Sequence, residues 1–240
     1  DVGRDVLQVL AGGAYDRVFN VLHGRGGEDG VIQGALEILD LPYTGSGVLG
    51  SAVAMDKYRS KLLLEALGVP TPPCVLISAD VDLAKAAALG FPLMIKPVRE
   101  GSSLGMARAE DAAQLRVAWE QAAEYDSQVM AERWISGAEY TAAVLGREVL
   151  PLIRLETPRG FYDYEAKYVA QDTRYLVPCG LSRDAEQRLQ SLALQAFDAV
   201  GASGWGRVDF FTDEAGQAWV IEVNTVPGMT DHSLVPMAAK

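Results

Sequence analysis

Two carboxylates and an amide alternate along two segments near the end of the chain. In 205–211 (WGRVDFF) every second side chain shares a face, and Asp209 lies on one of these faces. After a short turn, 218–224 (AWVIEVN) places Glu222 and Asn224 together in the same way. If the two segments pair as a hairpin in simple register, these three side chains meet.

Oxygen ligands without histidine or cysteine suit Mg²⁺ that is held partly by substrate phosphates. The alternative is a solvated polar strand face. We favour the metal site because Glu222 and Asn224 interrupt an apolar strand and because a Pro/Gly loop, 224–233, follows directly. Simple alternation also predicts Val220 on the face of Glu222, with Arg207 alongside the carboxylates.

A glycine-rich loop follows a lysine in 95–106 (IKPVREGSSLGM). A P-loop has its lysine after the glycines, whereas Lys96 precedes Gly101 and Gly105. A dinucleotide-binding loop would be followed directly by a long helix, but here a polar break at 110–111 comes soon after the loop. The loop therefore fits neither pattern, although glycines beside a lysine still suggest a phosphate site.

A literal G-x-G-x-x-G occurs at 45–50 (GSGVLG). No convincing strand leads into it, because the preceding segment 41–43 is short and broken by proline, so a dehydrogenase site is disfavoured. We interpret the motif as a turn into a helix over 51–68 that ends on a glycine.

The remaining pattern predicts alternating helices and strands, with 18–50 forming a βαβ unit. The long segment between 156 and 176 is predicted to be an irregular functional loop rather than a disordered one, since it is rich in tyrosine. The other expected elements are a buried strand at 18–22, helices at 80–90, 110–125 and 183–200, and strands at 91–97, 128–135, 138–145 and 149–156.

Composition limits the partners. The formal net charge of −11 argues against a nucleic-acid surface. Cys74 and Cys179 have no metal-ligand spacing and are expected to be reduced thiols in a cytosolic protein. No run reaches the roughly 18 apolar residues of a membrane span, and no signal peptide is visible, so no membrane partner is expected.

The chain begins with Asp1 and ends on Pro236–Lys240, which reads as the opening of a helix. We expect it to be a fragment of a longer protein. An N-terminal stretch with a Gly-rich turn and a C-terminal helix are expected to be missing, which would put the activity of the fragment in doubt.

Six stretches in this order resemble the ATP-grasp ligases and, among them, the D-alanine–D-alanine ligase family. Together they cover nearly the whole chain: LHGRGGEDG (22–30), GSGVLGSAVAMDK (45–57), IKPVREGSSLGM (95–106), FYDYEAKY (161–168), GWGRVDFF (204–211) and EVNTVPGMTDHSLVP (222–236). The resemblance implies an α/β and α+β protein with the ATP-grasp fold. An N-terminal Rossmann-like (pre-ATP-grasp) domain would precede two α+β lobes that hold the nucleotide between them.

The implied domains are a remnant of the N-terminal βαβ substrate domain (1–50), a central lobe (51–133) and a C-terminal lobe (134–240). The last would carry the metal site and a lid loop at 157–176. The implied contacts to ATP, the co-substrate, come from Lys57, Lys96, Glu132, Arg133, Ile135, Glu139 and Lys167. In this family Asp209, Glu222 and Asn224 would bind two Mg²⁺ or Mn²⁺ ions.

The implied reaction joins two D-alanines through an acyl phosphate. Arg207 and the Gly228 N–H resemble the family's oxyanion site, and His23, Ser233 and Leu234 its contacts to substrate. The loop 99–106 resembles the flap that covers the phosphates in this family. Tyr168 resembles a lid tyrosine that hydrogen-bonds to Ser102 in this flap, and a tyrosine there favours the dipeptide over the D-Ala–D-lactate ester. A homodimer in the bacterial cytoplasm that supplies peptidoglycan precursors is also implied.

One departure is Val226, where the family usually has serine, which leaves the loop shape set by Pro227 and Gly228. Two alternatives stay open. One is another ATP-grasp carboxylate–amine or D-Ala–D-lactate ligase, and the other is a nucleotide-binding domain without catalysis, against which the complete set around Arg207 and Asp209 argues.

Overall fold

The computed structural model describes residue 3 and residues 5–101, 103–156 and 173–240. Its helices in these ranges are α1 (Val6–Gly12), α2 (Val31–Ile38), α3 (Val48–Met55), α4 (Lys57–Ala66), α5 (Leu83–Ala87, after a 3-10 turn at Asp80–Asp82), α6 (Ala112–Ala123), α7 (Arg183–Ala199) and α8 (Leu234–Ala238). Its strands there are β1 (Cys74–Ile77), β2 (Leu93–Pro97), β3 (Ala107–Ala109), β4 (Val129–Arg133), β5 (Gly137–Leu145), β6 (Glu148–Val149), β7 (Ile153–Glu156), β8 (Arg174–Leu176), β9 (Trp205–Asp213) and β10 (Ala218–Asn224).

The first sheet is four-stranded and antiparallel, in the order β1-β4-β2-β3. One face packs on α5 and α6, where Ile95, Ala131 and Leu115 are buried in one apolar core. Because side chains alternate along a strand, the neighbouring Lys96 and Glu132 project from the opposite face. The sheet thus presents charged groups on the side away from its helices.

The second sheet has six strands in the order β10-β9-β5-β7-β8, with β6 pairing β5. Its apolar face packs on α7 through Val208, Phe210 and Phe197. The intervening side chains of β9, Arg207 and Asp209, point to the other face. The alternation predicted for 205–211 is therefore confirmed.

The hairpin of β9 and β10 contains a bulge that simple alternation did not predict. Glu222 pairs with Asp209, but Val220 pairs with Phe210, so the register shifts at Ile221. The prediction that Val220 shares a face with Glu222 was wrong, since Val220 is buried in the α7 core. The extra residue in β10 turns the carboxylate toward the other face while Val220 stays in the core.

The predicted helix over 51–68 is two helices. Asp56 has extended backbone (φ −87°, ψ 94°) between α3 and α4, and its carboxylate accepts a hydrogen bond from the Arg59 N–H at 2.9 Å. This N-cap starts α4 afresh and changes the direction of the chain. The apolar periodicity continues through Asp56, which is why the sequence pattern suggested one helix.

The strand predicted at 18–22 is reduced to one parallel bridge between Val18 and Tyr43. Phe19 and Val21 are exposed. Within the described ranges no further strand pairs with this segment, and an apolar run without a ladder partner does not become a strand. The helix of the predicted βαβ unit is present as α2.

Other boundaries differ by a few residues. The hairpin predicted at 138–156 is confirmed, with its second arm divided into β6 and β7. Part of the predicted loop 157–176 is strand β8, which pairs with β7, and residues 157–172 lie outside the described ranges. None of the described helices combines the length and apolarity needed to cross a membrane.

Candidate active site

A cleft lies between the two sheets. Polar and charged side chains of both sheets face into it, together with α4, the loop after β2 and the start of α8. Its lining residues include Lys57, Met94, Lys96, Glu100, Glu132, Arg133, Trp134, Ile135, Glu139, Arg207, Asp209, Phe211, Glu222 and Leu234. Its mixed apolar and charged lining suits a small organic ligand with charged groups.

Acidic and basic groups meet on the six-stranded sheet at the floor of the cleft. Asp209 and Glu222 are register partners on adjacent strands. The Arg207 guanidinium donates two hydrogen bonds to Asp209, at 2.8 and 2.7 Å, while Thr141 Oγ1 donates to Asp209 Oδ1 at 2.6 Å. Asn224 Nδ2 donates to Asp209 Oδ2 at 3.1 Å. The predicted cluster is thus assembled around Asp209.

The cluster offers hard oxygen donors. In the described part of the chain no three His, Cys, Asp or Glu side chains gather as a metal site. The oxygen donors of two carboxylates and an amide are of the type that Mg²⁺ takes, usually together with water or phosphate oxygens.

Lys57 bridges the carboxylate cluster and the glycine loop. Its ammonium donates to the Glu100 carbonyl at 2.7 Å and lies 3.5 Å from a Glu222 carboxylate oxygen. It is the first residue of α4, so the Asp56 cap fixes where its side chain starts. A cation placed between a loop and a carboxylate could move toward an anionic ligand in the cleft.

A second charged group is buried in the four-stranded sheet. Lys96 Nζ lies 2.6 Å from Glu132 Oε1, and Lys61 Nζ lies 2.6 Å from Glu132 Oε2. Burial raises the pKa of Glu132, but the two ammonium groups outweigh it and hold that pKa below its ordinary value. Glu132 is therefore ionised at neutral pH.

The glycine loop 99–106, here termed the flap, is anchored at its first residue. The Arg99 guanidinium binds both oxygens of the buried Asp126, at 3.0 and 2.5 Å, and the Arg99 N–H donates to the same carboxylate. The following residue, Glu100, accepts two hydrogen bonds from Arg25 at 3.1 and 2.7 Å. The flap thus contacts the 24–30 loop through Arg25 and Glu100.

The segment from β4 to β5 forms one wall. The Arg133 N–H donates to the Pro73 carbonyl at 2.9 Å, and the Trp134 N–H to Pro92 at 3.2 Å. Both amides are engaged with neighbouring loops, so a backbone contact from these residues to a ligand would use another group. The Arg108 guanidinium lies 4.6 Å from the Trp134 ring centre, which holds that ring in place.

The loop after β10 brings three small polar groups together. Ser233 Oγ accepts from the Thr230 N–H at 3.0 Å and lies 2.9 Å from Thr230 Oγ1. A Cβ on Gly228 would lie 2.8 Å from Ser233 Oγ, so a side chain at residue 228 would require Ser233 to shift. Leu234 follows at the start of α8 and lines the cleft.

Two family models match the chain. The model described as D-ala D-ala ligase C-terminus covers residues 63–240, and the one described as D-ala D-ala ligase N-terminus covers residues 8–46. A D-alanine–D-alanine ligase of Nitrosococcus oceani is 61% identical over 241 residues, covering 100% of this chain and 76% of the relative. The chain belongs to the D-alanine–D-alanine ligase family.

The chain is also similar to solved structures of ligases. A D-alanine–D-alanine ligase from Bacillus anthracis complexed with ATP matches with a TM-score of 0.84 and 32% identity, covering 98% of this chain and 76% of that one. The VanG D-Ala:D-Ser ligase from Enterococcus faecalis matches with a TM-score of 0.83 and 38% identity, covering 92% of this chain and 66% of that one. The ATP-grasp fold predicted from the sequence is confirmed.

The structure brings most of the residues predicted from the family motifs to the cleft. Those lining it are Lys57, Lys96, Glu132, Arg133, Ile135, Glu139, Arg207, Asp209, Glu222 and Leu234. Asn224 hydrogen-bonds to Asp209, which lines the cleft. Gly228 and Ser233 lie close together in the loop after β10.

Four predicted residues remain. His23 is exposed and does not line the cleft. Ser102, Lys167 and Tyr168 lie outside the described residues.

Sequence reasoning missed Lys61, Thr141 and Glu100. Thr141 lies within β5, and the residues around it in the sequence do not indicate a hydrogen bond to Asp209. Glu100 lies inside a quoted motif, but its carbonyl contact to Lys57 depends on the folded loop. Lys61 follows Lys57 by four residues, a spacing that puts both on one side of α4 and was the available signal.

Proposed function

We propose that this protein couples the cleavage of ATP to ADP and phosphate to the ligation of two D-alanines into D-alanyl-D-alanine. One observation carries the proposal: two lysines, Lys57 and Lys96, converge with Arg207 and two carboxylates in one cleft between two sheets. Joining a carboxylate to an amine requires activation of the carboxylate, and charge-neutralised phosphoryl transfer supplies it.

In the first step a carboxylate oxygen of the first D-alanine attacks the γ-phosphorus of ATP. The bond from that phosphorus to the β,γ-bridging oxygen breaks, which releases ADP and leaves an acyl phosphate. Lys57 and Lys96 border the space in which the phosphates would lie, and their charges offset the repulsion between two anions. Glu132, Arg133, Ile135, Glu139 and Lys167 are proposed to hold the nucleotide.

Asp209, Glu222 and Asn224 would bind two divalent cations, either Mg²⁺ or Mn²⁺. Once bound, the metal would neutralise phosphate oxygens during transfer. Asp209 is now paired with Arg207 through two hydrogen bonds. A cation that takes over the carboxylate would free the guanidinium for the substrate, so the two roles of Arg207 and Asp209 are linked.

In the second step the amine of the second D-alanine attacks the acyl carbon to form the C–N bond, and the carbon–oxygen bond to phosphate breaks. The nitrogen gives up one proton to the released phosphate or to solvent, and the dipeptide and inorganic phosphate are the products. The developing oxyanion needs donors, for which Arg207 and the Gly228 N–H are proposed. Ser233 and Leu234 would receive the second substrate, and His23 the first. Tyr168 and Ser102 are proposed to close lid and flap against water.

The test is ADP release with MgATP and D-alanine, compared with L-alanine, D-alanine plus D-lactate, and D-alanine plus D-serine. Turnover with D-alanine alone and D-Ala-D-Ala as product supports the proposal. A larger rate only with D-serine or D-lactate would assign a different acceptor, and ATP binding without any substrate-dependent ADP release would leave a nucleotide-binding domain.

A lysine pair provides the matched control. Lys96→Met should abolish turnover, because it removes a charge from the cleft. Lys85→Met removes an exposed charge on α5 that pairs with Asp82 in the preceding 3-10 turn, away from the cleft, and should leave turnover unchanged. Equal effects of the two substitutions would contradict the assignment of the cleft.

The product would serve peptidoglycan synthesis in the bacterial cytoplasm, and we propose a homodimer as the assembly. Sedimentation of the purified protein at several concentrations tests the assembly. A monomer at all concentrations would contradict it.

A further inference from the structure

Lys61 is a charged residue with no place in the reaction described above. Its side chain is 2% exposed and it does not line the cleft, whereas Lys96 and Glu132 do. It lies behind them, one turn along α4 from Lys57. A buried lysine is rare unless its charge is paired.

Lys61 is fixed by several partners. Its ammonium donates to Thr71 Oγ1 at 2.5 Å and to the Pro72 carbonyl at 3.4 Å, and it forms the ion pair with Glu132 Oε2. Thr71 in turn donates to the Val220 carbonyl at 2.8 Å, which ties the group to β10. These contacts hold the ammonium in the interior and leave it no path to a ligand.

Glu132 is therefore shared by two lysines in different surroundings. Lys96 contacts Oε1 from the cleft side, while Lys61 contacts Oε2 from the core side. A buried carboxylate that loses its partner is strongly disfavoured. If Lys96 were the sole counter-charge, its movement toward phosphates would leave Glu132 buried and unpaired.

We propose that Lys61 is a positioning residue for nucleotide binding, the resident counter-charge of Glu132 that lets Lys96 leave this carboxylate for the phosphates of ATP. The inference rests on the proposed function, since it needs ATP in the cleft. Lys61 acts through Lys96 and Glu132 and touches no substrate.

The test compares the affinities of adenosine and ATP by competition binding in the presence of Mg²⁺. Lys61→Met should leave Lys96 tied to Glu132, and the loss of one charge-assisted contact to phosphate corresponds to about a 10-fold fall in the ratio of the adenosine Kd to the ATP Kd. The affinity for adenosine itself should change little. Lys61→Gln, which can still donate to Thr71, should behave in the same way, because it also lacks the charge.

A double substitution separates positioning from folding. On the Glu132→Gln background no carboxylate retains Lys96, so adding Lys61→Met should leave the affinity ratio of Glu132→Gln unchanged. Lys85→Met, the exposed control, should keep the wild-type ratio.

Several outcomes would overturn the inference. An unchanged ratio in both Lys61 variants, or an equal loss of affinity for adenosine and ATP, would assign Lys61 a structural role. Failure of both variants to fold, seen as loss of the thermal transition, would do the same. A wild-type protein that does not bind ATP would instead reject the proposed function, and this inference with it.

Discussion

At the scale of single residues, Asp209 is the centre of the site. It accepts hydrogen bonds from Arg207, Thr141 and Asn224 and faces Glu222 on the neighbouring strand. These contacts fix the position of the Asp209 carboxylate and bring a second negative charge, that of Glu222, next to it. The identity of this side chain should therefore matter more to turnover than to folding.

Replacing Asp209 by asparagine keeps the shape and removes the charge. We expect ADP release to fall by about 10²- to 10³-fold, because the site loses an anionic ligand for the cation that would neutralise phosphate charge during transfer. Asp213→Asn is the matched control on the same strand, since Asp213 bonds to Trp219 and turn amides away from the cleft. Comparable losses in both variants would contradict a special role for Asp209.

Asp126, which anchors the flap, gives a prediction on pH. Burial raises the pKa of this carboxyl, but the hydrogen bonds from Arg99 and from backbone amides outweigh it and hold the pKa below 3.8. The folded state thus binds fewer protons than the unfolded state as pH falls below 3.8. The stabilisation is complete above this value and is lost as pH falls through the folded pKa.

Asp126→Asn should therefore lower the free energy of unfolding at pH 7 by about 1–3 kcal/mol, as expected when a buried charged hydrogen-bond partner is lost. The gap between variant and wild type should narrow below pH 3.8, as measured by urea unfolding. Asp82→Asn, which alters an exposed ion pair with Lys85, should cost much less. A gap that stays constant with pH would contradict the assigned pKa direction.

At the scale of elements, the motif GSGVLG at 45–50 is a packing device. A Cβ on Gly50 in α3 would lie 2.3 Å from the Gly201 carbonyl oxygen, after the end of α7. Gly45 has φ +96° and shapes the turn into α3. The predicted turn is thus present, and its glycines permit close contact between α3 and the end of α7.

Gly50→Ala should destabilise the fold by about 2 kcal/mol, because the backbone must shift to admit the methyl group. The same change at Gly34 in α2, where the nearest atom to a Cβ is 3.7 Å away, should be neutral or stabilise by up to about 1 kcal/mol. Thermal unfolding of the two variants measures the difference. Equal stability of both would show that α3 can move without cost.

At the scale of the whole molecule, the cleft is shared between two sheets with separate apolar cores. A ligand that contacts both sheets binds the folded state alone. MgATP at 100 times its Kd should raise the free energy of unfolding by about 2.7 kcal/mol. Thermal unfolding with and without MgATP tests this, with MgCl₂ alone as the control, and no shift would contradict a nucleotide site in the cleft.

Much of this protein could be predicted from its sequence. Period-two alternation predicted the faces of β9, and the spaced motifs predicted the family, the fold and most of the cleft residues. Such patterns are local, because a strand or a loop expresses its periodicity wherever it lies. Asp209 and Glu222 were likewise predicted to meet, because alternation places each side chain on one face of its strand and a hairpin pairs the two strands.

The tertiary structure alone decided what depends on neighbours. The bulge at Ile221 moved Val220 into the core, and the cap at Asp56 divided one predicted helix into two. The strand at 18–22 was reduced to a bridge because the described chain provides no ladder for it. The pairing of Lys61 with Glu132 joins α4 to β4, and such a contact between residues far apart in sequence arises only when packing brings two elements together.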